Sequence, residues 1–216
     1  MWWYYMQVKD FPKIESPFVR KEINNEYVVT SEINPGYEWV LEGKEDEVVC
    51  MEKLDGTDVS IVIENKKIVG IYNRLNKIEL FGKGTRNIIE GLLESKDRGF
   101  LDLQDGQHFG ELIGEKINGN PYNLQSNLWI PFMTYGMNSL VYKSWHKYSK
   151  SFENLKDWFF KPIDEGGIFS LLMRKRDIKQ KPEGIVFHNL KTGQMSKLRL
   201  DMFQEFQGKR HKDFNI

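Results

Sequence analysis

The chain has 216 residues, 40% of them hydrophobic and 13% aromatic, and its 31 basic and 31 acidic side chains cancel to a net charge of +0. That length and composition fit one globular domain with a sizeable core, neither disordered nor membrane-like. Neutrality leaves any nucleic-acid-binding surface to local clusters of charge. No apolar stretch approaches the length of a membrane span, and Met1–Asp10 lacks the basic start and long apolar run of a signal peptide. Cys50 is the only cysteine, so no intrachain disulfide or cysteine-based zinc site exists and a reducing cytoplasm is the expected setting.

In chain order, Met1–Val8, with Trp2, Trp3, Tyr4 and Tyr5, reads as a first strand packed on the body or as an aromatic platform for bases. Residues 11–47 mix proline, glycine and charge around short apolar runs, Tyr27–Val29 and Trp39–Leu41, which read as short strands in an irregular stretch. The run Val48–Met51 then leads into Glu52-Lys53-Leu54-Asp55-Gly56, and alternation at Val59, Ile61 and Ile63 predicts a half-buried strand. Gly56 permits a tight turn and leaves Lys53 at the mouth of a β-layer. A lysine so placed is a candidate nucleophile. At an ordinary pKa of about 10.4, only about one amine in a thousand is neutral near neutral pH; partial burial, cations or a metal raise that fraction.

Glu64-Asn65-Lys66-Lys67 is a polar turn, and Ile68, Val69, Ile71 and Tyr72 form a second strand ending at Asn73-Arg74. Phe81-Gly82-Lys83-Gly84 lacks the full spacing of a phosphate-binding loop and reads as a plain loop. From Thr85 to Ser95, Ile88, Ile89, Leu92 and Leu93 recur at helical spacing, with Gly99 as the stop. His108–Gly114 is a short strand flanked by glycines, Gly119-Asn120-Pro121-Tyr122 is turn chemistry, and Leu128–Tyr135 is another strand. Lys143–Lys150 is basic and aromatic, either a solvated face with one buried aromatic or a contact for phosphate and base. Between Ser151 and Phe160, Phe152, Leu155, Trp158 and Phe159 share a helical face. Pro182–Phe187 is a glycine turn feeding an apolar strand. A turn at Thr192-Gly193 returns the chain into Met195–Asp201, where Lys197 and Arg199 point to one face and Leu198 and Leu200 to the other. His108, His146, His188 and His211 lack zinc-ligand spacing.

Lys53-Leu54-Asp55-Gly56 resembles motif I of the covalent nucleotidyltransferases, the ATP- and NAD-dependent polynucleotide ligases and mRNA capping enzymes. The longer string Glu52–Ile63 is similar to that stretch in RNA ligases. Companion motifs follow in order. Arg74 falls about twenty residues beyond the lysine, where ligases carry an arginine over the nucleotide ribose and phosphate, a task suited to a planar fork. His108–Gly114 resembles motif III, which implies that Glu111 accepts hydrogen bonds from the ribose. Phe132 stands at the position of the aromatic that stacks on the purine, but Met133 replaces the acidic residue usual there, and a core phenylalanine is the other reading. Glu183-Gly184-Ile185-Val186 resembles motif IV, which implies a metal ligand at Glu183. Lys197-Leu198-Arg199 resembles motif V, usually Lys-x-Lys; two cations there would bind triphosphate and sit as like charges near Lys53.

The resemblance implies an α+β fold, a nucleotidyltransferase (ATP-grasp-like ligase) domain of packed antiparallel sheets flanked by helices, with the nucleotide in the cleft between them. It makes residues 1–216 one adenylation domain. Only Phe203–Ile216 follow motif V, so no C-terminal OB-fold is expected. The implied activity is ATP-dependent RNA ligation with Mg²⁺ or Mn²⁺. Lys53 takes AMP from ATP, AMP passes to an RNA 5′-phosphate, and a 3′-hydroxyl displaces it. Lys53, Asp55 and Lys197 are the expected catalytic residues. Glu52, Arg74, Glu111, Phe132, Lys197 and Arg199 are expected to bind the nucleotide, and Glu183 the metal. RNA ends or a nicked duplex are the expected partners, with a helper protein left open. The alternatives are an enzyme that only adenylylates ends or caps RNA with GMP, and a non-catalytic nucleic-acid-binding relative.

Overall fold

The computed structural model describes residues 7–82, 84–132, 139–143, 145, 150–174 and 176–209. The aromatics Trp2–Tyr5, the end of the expected strand at Met133–Tyr135, the middle of the Lys143–Lys150 stretch and residues 210–216 lie outside these residues. Internal contacts divide the chain into two compact units. One comprises Met1–Lys13 and Leu54–Ser139; the other comprises Ile14–Lys53 and Leu140–Ile216. The elements are mixed α and β, the strands among the described residues pair antiparallel, and Glu15 makes an isolated parallel bridge to Ser196. No helix among the described residues is long and apolar enough to cross a membrane.

The unit containing Lys53 begins with a hairpin, β1 (Phe18–Ile23) and β2 (Glu26–Ile33). Its turn residues Asn24 and Asn25 both take positive φ, the conformation that two-residue hairpin turns demand and asparagine tolerates. Trp39–Leu41, expected as strand, belongs to a helical turn, α1 (Trp39–Glu42), closed by bonds from Leu41 N and Glu42 N to Glu38 O. A run that short buries only Val40, and among the described residues no strand pairs with it. The main sheet joins β3 (Val48–Lys53), β9 (Gly184–Asn189) and β10 (Met195–Arg199) in the order β10-β9-β3. Neither outer strand is left bare. Tyr142 N and Glu52 N bond across to Cys50 O and Leu140 O on one side, and Lys197 N bonds to Glu15 O on the other.

One face of this sheet presents Val48, Cys50, Phe187, Ile185 and Leu198 to a core completed by α3 (Phe152–Phe160). That helix starts at Ser151, whose Oγ accepts the Asn154 N–H at 3.2 Å. Its apolar face packs as the 3.6-residue period predicts, with Leu155, Trp158 and Phe159 buried. A single further turn, α4 (Leu171–Arg174), follows.

The other unit is a five-stranded sheet in the order β6-β5-β4-β7-β8. Its strands are β4 (Thr57–Glu64), β5 (Lys67–Asn73), β6 (Asn76–Lys77), β7 (Gly106–Ile113) and β8 (Leu128–Pro131). Helix α2 (Thr85–Asp97) covers one face, packing Leu92 over Val59, Ile61, Ile63, Leu112 and Trp129. It ends at Gly99, whose φ of 76° and N–H bond to Lys96 O make the expected stop.

Strand β4 departs from the half-buried expectation: Val59 through Ile63 are all buried. It is the middle strand of five, and the segment before residue 13 covers its second face. There Gln107 exchanges two 2.8 Å bonds with the Lys9 backbone and donates to Ser60 Oγ. Phe11 packs beside it on Phe109 and Phe132.

Candidate functional site

In the unit of the main sheet, register decides what faces what. Gly184 on β9 pairs with Lys53 on one side and Arg199 on the other; Val186 pairs with Met51 and Lys197. Directly paired residues share a face, so Lys53, Lys197 and Arg199 stand on the side opposite the core. Gly184 leaves the place between Lys53 and Arg199 without a side chain, and a Cβ there would collide with the Leu198 carbonyl and Arg199 Cα. Glu183, one residue before β9, holds Lys53: Nζ donates to Oε2 at 2.6 Å.

Glu52 points the other way, as strand alternation requires. Its carboxylate is buried and accepts from Ser170 Oγ at 2.5 Å and from Leu172 N at 3.0 Å. Burial pushes its pKa up to about 6, against the lowering effect of those bonds and of one from the Leu171 backbone. The structure thus puts Glu52 in the packing beneath the nucleophile. Arg199 is also buried, with Nε donating to Asp201 Oδ1 at 2.8 Å and Nη2 to Oδ2 at 3.4 Å. His188, on β9, is buried, and burial lowers its pKa to about 4.

In the five-stranded unit, Asp55 and Gly56 form the turn before β4. The Asp55 N–H donates to Tyr122 Oη at 2.7 Å, and Asn118 Nδ2 reaches both Asp55 Oδ1, at 3.2 Å, and the Gly56 carbonyl. Gly56 is needed for a reason other than the one expected. Its φ is not positive, but a Cβ would strike the Leu112 carbonyl and the Glu111 and Ile113 side chains. The Gly119–Tyr122 turn is therefore the brace of the motif I turn. Sequence reading missed Asn118 and Tyr122 in this role, because the bonds span more than sixty residues.

Glu111 on β7 lies directly across from Asp58 on β4, so the two carboxylates share a face with Phe109 and Ser60. Asp58 is the third residue missed. Its Oδ1 is buried with no hydrogen-bond partner among the described residues, and its pKa rises to about 6. Desolvation is the main cause and the Asp10 carboxylate adds to it, while Arg74 opposes both. The two-residue strand period finds it, since Asp58 alternates with Val59 away from the core. Arg74 is exposed, in the turn between β5 and β6, at a left-handed φ of 53°. Phe132 follows β8, with its N–H on Phe109 O at 2.8 Å and its ring 5.0 Å from that of Phe11.

The expected residues thus fall into two sets. Lys53, Glu183, Lys197 and Arg199 are gathered on one sheet, and Asp55, Arg74, Glu111 and Phe132 belong to the five-stranded unit.

All of these positions lie within residues 46–200, the span that matches the family model described as RNA ligase, and the chain belongs to that family. The match bears out the resemblance drawn from the motifs. Among solved structures, the chain is similar to Naegleria gruberi RNA ligase with PPi, at 17% identity over 89% of this chain and 58% of that one, TM-score 0.48. It is also similar to a lysine-to-methionine mutant of Naegleria gruberi RNA ligase with AMP and Mn, at 15% identity over 91% and 60%, TM-score 0.46. The chain therefore spans about three-fifths of the length of those proteins. No curated protein matches it.

Proposed function

We propose that this chain carries out ATP-dependent RNA ligation, joining 5′-phosphate and 3′-hydroxyl ends through a lysyl–AMP intermediate. The observation that carries the reading is the row Lys53–Gly184–Arg199 with Glu183 on the Lys53 amine and Lys197 on the same face, all inside the family match.

In this reading the neutral Lys53 amine attacks the α-phosphorus of ATP. An N–P bond forms, the bond to the β-phosphate oxygen breaks, pyrophosphate leaves and the amine proton goes to solvent. An RNA 5′-phosphate oxygen then takes the AMP, breaking the N–P bond and returning the amine. The 3′-hydroxyl of a second end displaces AMP and seals the strand. Positioning and charge stabilisation dominate such transfers.

Lys197 supplies positive charge to the phosphates, and the Asp201 pair holds Arg199 in place beside it. Arg74, Glu111 and Phe132 are assigned to the nucleoside. The brace of Asn118 and Tyr122 keeps the Asp55 turn in one geometry.

Glu183 is the residue for a divalent ion. Among the described residues no three His, Cys, Asp or Glu side chains group to hold a metal by themselves. One carboxylate suits a hard ion such as Mg²⁺ or Mn²⁺ that keeps waters and takes phosphate oxygens as its other ligands. Such an ion would neutralise charge developing on the phosphates. A buried Cys50, its thiol pushed well up by burial, suits a reducing, cytoplasmic setting, and a helper protein is a further partner compatible with the reading. The test is sealing of RNA with 5′-phosphate and 3′-hydroxyl ends in ATP and Mg²⁺. The ligated product is expected from the wild-type chain and none from Lys53→Ala.

A further inference from the structure

The loop between β6 and α2 has a feature that the ligation chemistry leaves unused. Glu79 O accepts the Gly82 N–H at 2.9 Å, which makes Leu80 and Phe81 the two corner residues of a hydrogen-bonded turn. Such corners ordinarily hold proline, glycine, asparagine or aspartate. Here Phe81 is fully exposed and Leu80 is 62% exposed, while Leu75, at the preceding turn, is 60% exposed. The loop is not loose. Thr85 Oγ1 donates to the same Glu79 carbonyl at 2.8 Å, and Ile78, bonded through its N–H to Ile71 O, packs on the core. The phenylalanine ring is thus held out into solvent by a braced turn, with little further ordering needed when it binds.

The surrounding charge says what it is held out for. Exposed Arg74 and Lys77 precede the ring against the single carboxylate of Glu79, while Arg86, which follows it, is paired with Glu90 at 2.7 Å. A protein-docking patch is contiguous and apolar; cations interleaved with a projecting aromatic fit a polyanion that carries π faces.

We propose that the Leu75–Phe81 loop is a subsite for single-stranded RNA, in which Phe81 stacks on an unpaired base while Lys77 contacts the backbone phosphates. This extends the proposed function, resting on its assignment of RNA as substrate, and it adds a substrate contact on residues to which the nucleotide chemistry gives no role. An unpaired base is required because a base stacked within a duplex offers no free face to a protruding ring.

The test is the binding of a labelled, 5′-phosphorylated single-stranded RNA, followed by fluorescence anisotropy across a salt series, beside the duplex of the same sequence. Phe81→Ala should weaken single-strand binding about tenfold or more without changing the salt slope, since stacking releases no counterions. Phe81→Trp should restore the affinity. Lys77→Ala should lessen the salt slope by about 0.7. Duplex binding should not respond to Phe81→Ala. The proposal is overturned by Phe81→Ala binding single strands within about twofold of wild type, or by an equal loss on duplex. It is also overturned if sedimentation shows the substitution dissolving a dimer while RNA binding stands, which would make the loop a contact between copies. ATP labelling of Lys53, run on the same proteins, reads the ligase assignment separately. Absence of label in wild type contradicts that assignment, whereas the anisotropy result alone decides the loop.

Discussion

Lys53 Nζ and Glu183 Oε2 lie 2.6 Å apart, with both side chains largely withdrawn from solvent. The pair joins the proposed nucleophile to the proposed metal ligand. An amine that donates to a carboxylate must leave it before it can attack phosphorus, so Glu183 has to turn to another cation for Lys53 to react. Glu183→Gln keeps the shape and removes the charge. It should cut the rate of Lys53 labelling by at least about ten- to a hundredfold and raise the Mg²⁺ concentration needed, with the fold intact by circular dichroism. Equal labelling at equal Mg²⁺ would detach Glu183 from the chemistry.

Lys197 and Arg199 share a face but should respond to mutation in different ways. Asp201→Ala leaves the Arg199 guanidinium buried without its carboxylate and should cost about 3–5 kcal/mol of stability in urea unfolding. Lys197→Ala should leave the unfolding midpoint nearly unchanged while raising the KM for ATP. A reversed ranking would mean that Arg199 is held by something other than Asp201.

Glu52 makes stability depend on pH in a definite direction. Its pKa is about 6 in the folded chain against 4.5 for the free side chain, so between those values the folded state binds more protons than the unfolded state. The stabilising contribution is complete below pH 4.5 and is lost as pH rises through 6, an effect of about 2 kcal/mol. Glu52→Gln removes the titration. Relative to wild type, the variant should be about 2 kcal/mol more stable at neutral pH than it is at pH 4.5, measured by urea titration at both. A difference that does not move with pH would contradict this.

Tyr122→Phe takes away the acceptor of the Asp55 N–H and nothing else of the side chain. The expected cost is about 1–2 kcal/mol of stability. Labelling of Lys53 should slow more than unfolding accounts for, since the Asp55 turn loses its fixed geometry. Thermal melts and single-turnover labelling on the same samples separate the two effects.

Much of this was legible in the sequence because the signals are local. The strand periods at Val59–Ile63 and Lys197–Arg199, the helical face of Phe152–Phe159 and the Gly99 stop each depend on a few neighbouring residues, although the strand expected to run on through Leu200 gives way there to a 3-10 turn. What was not legible depends on pairing at long range. Nothing near Glu52 announces that Ser170 and the Leu172 N–H will take its carboxylate, and nothing near Asp55 announces Asn118 and Tyr122. The second buried face of β4 required knowing that the Lys9–Phe11 segment would lie across it. Trp39–Leu41 could be apolar strand or apolar helix on its own terms, and the bonds from Leu41 N and Glu42 N to Glu38 O settle it as helix.

The most direct test of the central claim is covalent labelling of the purified protein by ATP radiolabelled at the α-phosphate, in Mg²⁺, beside Lys53→Ala, on a denaturing gel. The account predicts label from ATP that survives denaturation and disappears in the Lys53→Ala protein, with GTP giving none. Label from GTP would redirect the reading to capping. Absence of label from either nucleotide, on folded protein free of bound AMP, would contradict a covalent ligase.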